Sequence, residues 1–416
     1  MDRLVAIERS WKTDMEMTQK ERMMAAARGG LSDTIPFAPR IDLWFSANKA
    51  RGSLPKTYEG ASCADDIAKC EGWALHKIVL EYMNYGQDAV IDHALGIYRI
   101  PTQGFLTHLP DTVERQIVKH EDSTSITYLT PKGSVSAELL FTEEMRLGGI
   151  SEPFIKEHVI KGPDDYPVVG YIFENMRVEP AYDGFLRWSD SVSDNGLAVA
   201  YALTAGSPVH HIMKMLTDTT AFYYQFYDHK MQLLDLADQI GIYYRKVLEV
   251  VSQSPAEIVL FGANFDETLT YPPFFEKNIL PWMQDATDKL HNHRKLVLSH
   301  TDGENEGLMD LILESGIDIA EAVCPYPMTK LNIREYYSRW SDRITIFGGI
   351  PSNLLLEKTT SEEDFDRFLD NLFPSIMPGS RFILGVADTV PPDADFNRLQ
   401  RIKELVEEKG QLPLKN

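Results

Sequence analysis

The chain has 416 residues, with 41 Lys and Arg against 62 Asp and Glu, for a formal net charge of −21. Such an acid excess repels nucleic-acid phosphates and anionic membrane surfaces, so neither is an expected partner. At 44% hydrophobic and 25% charged residues, with no apolar run of about 18 residues, the sequence reads as a globular protein with a sizeable core and no membrane span. The segment after Met1 lacks the apolar stretch of a signal peptide, so the expected location is the cytoplasm. Cys63, Cys70 and Cys324 form neither a disulfide framework nor a Cys-x-x-Cys pair.

Residues 1–30 read as a helical segment, with Thr18 as the N-cap of a helix that Gly29-Gly30 stops. Residues 31–416 then form the main body. A short first strand around Ile35 ends in Arg40 and Asp42, and a helix from about Cys63 to Trp73 leads to a second run, His76 to Met83. Between about 98 and 143 the pattern changes to the alternation of antiparallel strands, with Lys132-Gly133 as a hairpin turn. This region is expected to be an inserted β subdomain.

From Leu197 onward strands and helices alternate. Strands are predicted at Leu197–Tyr201, Ile258–Phe261, Leu296–Leu298, Ile317–Val323, Ile344–Phe347 and Phe382–Val386. Helices fall between most of them, one marked by Met231, Leu234, Ala237 and Leu248, another by Phe274, Ile279, Trp282 and Met283. With the runs at Ile35 and His76 the strands number eight, which predicts an α/β (β/α)8 TIM barrel. A Gly-x-Gly-x-x-Gly fingerprint is missing, which speaks against a dinucleotide-binding sheet.

The stretch Lys295–Met328 carries the most chemistry. A strand stops at Ser299-His300-Thr301-Asp302-Gly303-Glu304, a helix follows up to Gly316, and a second strand ends at Glu321-Ala322-Val323-Cys324-Pro325. Consecutive parallel strands of this kind bring His300, Asp302, Glu304, Glu321 and Cys324 around one cavity at their carboxyl ends, where such sheets bind ligands. Plain packing accounts for any one of these residues as well as chemistry does. Other strand ends supply Arg40 and Asp42, His76, His210 with His211, Asn264 with Asp266 and Glu267, and Asp388. Gly348-Gly349 after the seventh strand is either a phosphate cradle or a tight strand-to-helix turn.

Met17-Thr18-Gln19-Lys20-Glu21-Arg22, Asp33-Thr34-Ile35-Pro36, Pro272-Pro273-Phe274-Phe275-Glu276, His300-Thr301-Asp302-Gly303, Gly348-Gly349-Ile350-Pro351 and Pro391-Pro392 together resemble the uroporphyrinogen decarboxylase superfamily over roughly Met17 to Arg401. The resemblance implies a (β/α)8 barrel and either of two activities, porphyrinogen decarboxylation or corrinoid-linked methyl transfer. Ser46-Ala47-Asn48-Lys49-Ala50-Arg51-Gly52 keeps only part of the arginine-rich stretch of the decarboxylases. His300 matches the His-x-Cys of the zinc-dependent coenzyme M branch, but Asp302 stands for its first Cys and Asp388 lies where its last is expected. The likeness is closer to the methyltransferase component of O-demethylases. Such a protein moves a methyl group from a small methylated substrate, with aryl methyl ethers favoured, to Co(I) on a separate corrinoid protein.

That chemistry needs a better leaving group, supplied by a Lewis acid or a positioned proton donor. Zinc held by His300, Cys324 and a carboxylate of Glu321 or Asp302 is one expectation. Without metal, Asp302 or Glu304 serves as a protonated acid, with Asp266 passing a proton. Arg40, Asp42, Asn264 and Asp388 are the expected substrate-binding residues. Trp44, Phe45, Tyr271, Phe274 and Tyr326 are the aromatic side chains available for an aryl ring or for the core. A corrinoid protein is the expected partner, and a homodimer is compatible with the residues. A lyase on the same barrel and a non-catalytic binding subunit are the competing readings.

Overall fold

The computed structural model describes residues 16–77 and 89–415. The first helix, Gln19–Ala27, starts as predicted: Thr18 accepts from the Glu21 amide while the Glu21 side chain accepts from the Thr18 amide. Its Met23, Met24, Ala26 and Ala27 are buried, and Thr345 Oγ1 donates to Ala26 O.

Strand β1 (Leu75–Lys77) is followed by the antiparallel layer: β2 (Phe105–His108), β3 (Glu114–Lys119), β4 (Ser123–Thr130), β5 (Gly133–Leu140), β6 (Phe154–Glu157) and β7 (Arg177–Pro180). β3 to β6 form one sheet in sequence order and β2 pairs with β7. The predicted hairpin turn lies at the β4–β5 junction, where Gly133 has φ 126°. The layer extends past the expected end at 143, because β6 adds to β5 through a bulge. Asp92, fully buried, ties this layer down: it accepts from Arg115 Nη1 on β3 (3.1 Å), Tyr128 OH on β4 (3.0 Å) and Arg99. The part of the predicted second run beyond Lys77 lies outside the described residues.

The remaining strands are β8 (Gly196–Leu203), β9 (Ile258–Ala263), β10 (Leu296–His300), β11 (Ile319–Val323), β12 (Thr345–Ile350) and β13 (Phe382–Val386). With β1 they form a seven-stranded parallel sheet in the order β1-β8-β9-β10-β11-β12-β13. The expected first strand is reduced to one parallel bridge, Phe37 to Leu384. Pro36 and Pro39 leave few amides for a longer ladder. Even so, Ala38 N donates to Leu384 O on one side and Ala74 N to Phe37 O on the other, both near 2.8 Å, so this segment joins the two edges of the sheet. The sheet is strongly curled: His76 on β1 stacks on Phe347 of β12 and lies 3.0 Å from Glu321 of β11. The arrangement is compatible with a (β/α)8 barrel.

Strand alternation separates two cores. Leu197, Val199, Tyr201, Ile258, Leu260, Leu298, Ile319, Phe347 and Ile383 point inward with the first helix. Ala200, Val259, Phe261, Val297, Ala320, Ile346 and Leu384 point outward to the helices. In the long helix Lys230–Ser252 the buried stripe is Leu233, Leu236, Ile240, Val247 and Val251, while Met231, one of the residues that marks this helix in the sequence, is 72% exposed. Two residues beyond Leu298 and Ile319 on the inner face come His300 and Glu321, opposite one another in the β10–β11 register. Polar side chains at inner positions open the site.

Candidate active site

The carboxyl ends of the strands are irregular. Register shifts occur between Tyr201 and Leu203, between Leu298 and His300, and between Glu321 and Val323. Three non-glycine residues there, Asn264, Ala322 and Asp388, have φ near +58°. Bulges and left-handed backbone cost energy and tend to gather where side chains must be re-aimed at a ligand.

Glu321 is fully buried at the centre. Its Oε2 accepts from His300 Nδ1 at 2.5 Å. Its Oε1 lies 3.0 Å from His76 Nε2. His76 Nδ1 donates to Ala38 O. Burial alone favours a neutral His300, but the Glu321 carboxylate raises its pKa above the ordinary value. Burial likewise works against the Glu321 charge, and His300 overrides it to hold the carboxyl low. His300 Nε2 lies 3.8 Å from Asp388 Oδ1, which accepts from Arg40 Nη1 at 3.0 Å. Asp302 is raised, first by burial and then by Asp388 and Glu321, with His300 pulling against them.

His300, Arg40, Asn264 and Asp388 open onto one cavity of about 780 Å³. Its other wall is the segment from Met145 to His158 around β6, including Met145, Glu152, Phe154 and His158, and it also holds His93, Tyr98, Tyr201, Lys214 and Asp218. Sequence reasoning missed Lys214 and the residues of this second wall. A lone lysine in the apolar run Ile212–Leu216 was the available signal for the first; the wall residues lie far in sequence from the strand ends they face. Lys214 sits in a π-helical turn, Ile212–Leu216, a local widening common at functional sites. Its Nζ donates to Asn264 Oδ1, and Asn264 N donates to His300 O.

Other expected site residues have structural work. Asp266 accepts from the Thr268, Leu269 and Glu304 amides, which hold its carboxyl low against the effect of burial. Glu304 accepts from the Glu306 and Lys330 amides. Asp42 opens the helix Asp42–Arg51 and lies 4.0 Å from Lys77 Nζ. His211 bonds Leu95 O and Tyr244 OH, and Gly206 N donates to His210. Trp44, Phe45 and Phe274 are core residues and Tyr271 and Tyr326 are exposed, so the cavity's aromatic side chains are Tyr98, Phe154 and Tyr201 instead. Gly348 is a packing glycine: a Cβ there meets Val323 N and O within 2.8 Å.

The residues do not fit a zinc held by His300, Glu321 and Cys324. Glu321 already accepts from His300 Nδ1 and lies 3.0 Å from His76 Nε2. Among the described residues no group of three His, Cys, Asp or Glu side chains converges to hold a metal ion.

The fold is similar to that of a methyltransferase from Methanosarcina mazei, at TM-score 0.53 and 12% identity, covering 94% of this chain and 99% of that one. No curated protein matches the sequence. The family model "Uroporphyrinogen decarboxylase (URO-D)" matches residues 145–409, more than half of the chain. On that match, the chain belongs to the uroporphyrinogen decarboxylase (URO-D) family.

Proposed function

We propose that this chain is a methyltransferase that takes a methyl group from a small O- or N-methylated donor, above all an aryl methyl ether, and passes it to the Co(I) corrinoid of a partner protein. The charge balance of the cavity carries the reading. Arg40 is paired with Asp388, and Glu152 and Asp218 add two further carboxylates against Lys214. A porphyrinogen bearing many carboxylates meets as much repulsion as attraction there, which argues against decarboxylation of such a substrate. Membership of the URO-D family and the fold shared with a methyltransferase support the choice.

The methyl acceptor supplies the nucleophilic electron pair, so the chain's task is to hold the donor and improve its leaving heteroatom. His300 suits that task. Glu321 fixes its Nδ1 and favours the imidazolium, leaving Nε2 toward the cavity to give a proton to the departing oxygen or nitrogen. Asp302, with its raised carboxyl beside His300, is the second proton holder. Asp388 and Arg40 orient the donor. Asp266 and Glu304 drop out because their carboxylates hold backbone amides.

The test mixes purified protein, a Co(I) corrinoid protein and methylated donors, and follows the cobalt absorbance. Donor-dependent conversion of the Co(I) spectrum that fails with His300→Ala is expected. Release of CO2 from a carboxylated substrate without any cobalt change overturns methyl transfer in favour of the lyase.

A further inference from the structure

We infer that Lys214 and Asn264 form an anion-holding subsite, and that the ligand of this cavity carries a carboxylate in addition to its methylated heteroatom. The inference rests on the methyl-transfer reading for the heteroatom, but not for the carboxylate. An ammonium has three N–H donors. Lys214 uses one on Asn264 Oδ1, and among the described residues no carboxylate lies within the 4.0 Å of an ion pair. Arg40, the guanidinium of the cavity, already has Asp388, and His300 has Glu321. Lys214 is therefore a cation lining the cavity, with N–H donors beyond the one it gives Asn264.

The backbone around it is built to keep it there. Asn264 adopts φ +59°, a conformation that costs energy for a residue with a Cβ, and this turns its amide oxygen to Lys214 while its N–H is held by His300 O. The π-helical turn re-aims Lys214 on the other side. One residue, Asn264, thus links the cation to the strand end that carries His300. A ligand reaching both would present its carboxylate to Lys214 and its methylated heteroatom to His300.

Burial pulls the ammonium down to about 8, with Glu152 and Asp302 pulling the other way. Charged groups facing it also include His93, His210 and His211, whose burial keeps them neutral well below that pH. An anion is therefore held below about pH 8 and released as pH rises through it.

The experiment measures equilibrium binding of methoxybenzoates, methoxyacetate and N-methylated amino acids, each paired with its neutral amide, to wild type, Lys214→Met and Lys214→Arg. In parallel, ¹³C reductive methylation gives an NMR signal for Lys214, assigned by its loss in Lys214→Met. The expected result is a carboxylate preferred over its amide, a loss of about tenfold or more in Lys214→Met, affinity largely kept in Lys214→Arg, and movement of the Lys214 resonance on binding. Equal affinity of wild type and Lys214→Met for the carboxylate overturns the subsite. So does a panel in which no carboxylate moves the Lys214 resonance. Carboxylate binding that depends on Lys214, without any cobalt methylation, keeps the subsite and removes the methyl-transfer reading instead.

Discussion

Replacing Glu321 with Gln probes the centre of the site. The carboxylate has no solvent exposure and faces His300 Nδ1 at 2.5 Å and His76 Nε2 at 3.0 Å. Removing one member of a buried charge pair costs about 3–5 kcal/mol. The amide keeps an oxygen for the His300 N–H, and the imidazolium can shed its proton, so the low end, about 3 kcal/mol, is expected. The pH dependence is more diagnostic than the size. Glu321 is held below its ordinary value of 4.5, so its contribution is present above pH 4.5 and lost as pH falls through the lowered value. His300 is held above 6.5, so its contribution is complete below pH 6.5 and lost as pH rises through the raised value. The stability gap between wild type and Glu321→Gln should therefore be widest between pH 4.5 and 6.5 and narrow on both sides. Urea denaturation of both proteins from about pH 2, the lowered value of Glu321, to about pH 9 measures it, with about 1.4 kcal/mol corresponding to each tenfold change in the unfolding constant. A gap that is absent, or that stays constant with pH, refutes the pairing.

Asp266→Ala, which strips acceptors from three amides, should cost about 1–2 kcal/mol in urea melts while the pH profile of activity stays in place. A shifted profile would return Asp266 to proton transfer. Cys324→Ala should leave metal content by elemental analysis and activity unchanged, since among the described residues no group of three ligands converges to hold a metal ion; joint loss of both would restore the zinc reading. Asp92→Asn should destabilise the protein by about 3 kcal/mol and expose β3 and β4 to hydrogen exchange, because Arg115 and Tyr128 lose their charged anchor. Exchange unchanged in those strands would show that the antiparallel layer is held by its apolar contacts alone.

The order of elements was legible because it is written in local periodicity. Strands beginning at Leu296 and Ile319, separated by a helix that stops before Gly316 with φ +81°, follow from apolar spacing and a residue able to take left-handed backbone. The same alternation placed His300 and Glu321 at strand ends on the inner face, since positions on one face are two residues apart. The family resemblance rested on short motifs of this kind and is matched over residues 145–409. What each carboxylate does was not legible. Asp266, Glu304, Asp302 and Glu321 have the same chemistry in sequence, and only their neighbours separate two that hold backbone amides from one that is raised by burial and one paired with histidine. The second wall of the cavity, Glu152 and Phe154, comes from a layer folded over the strand ends, and Lys214 becomes a site residue because a π-helical turn aims it there. Local sequence fixes which residues alternate in and out; the long-range packing of one layer on another decides which of them share a cavity and which charges go unpaired.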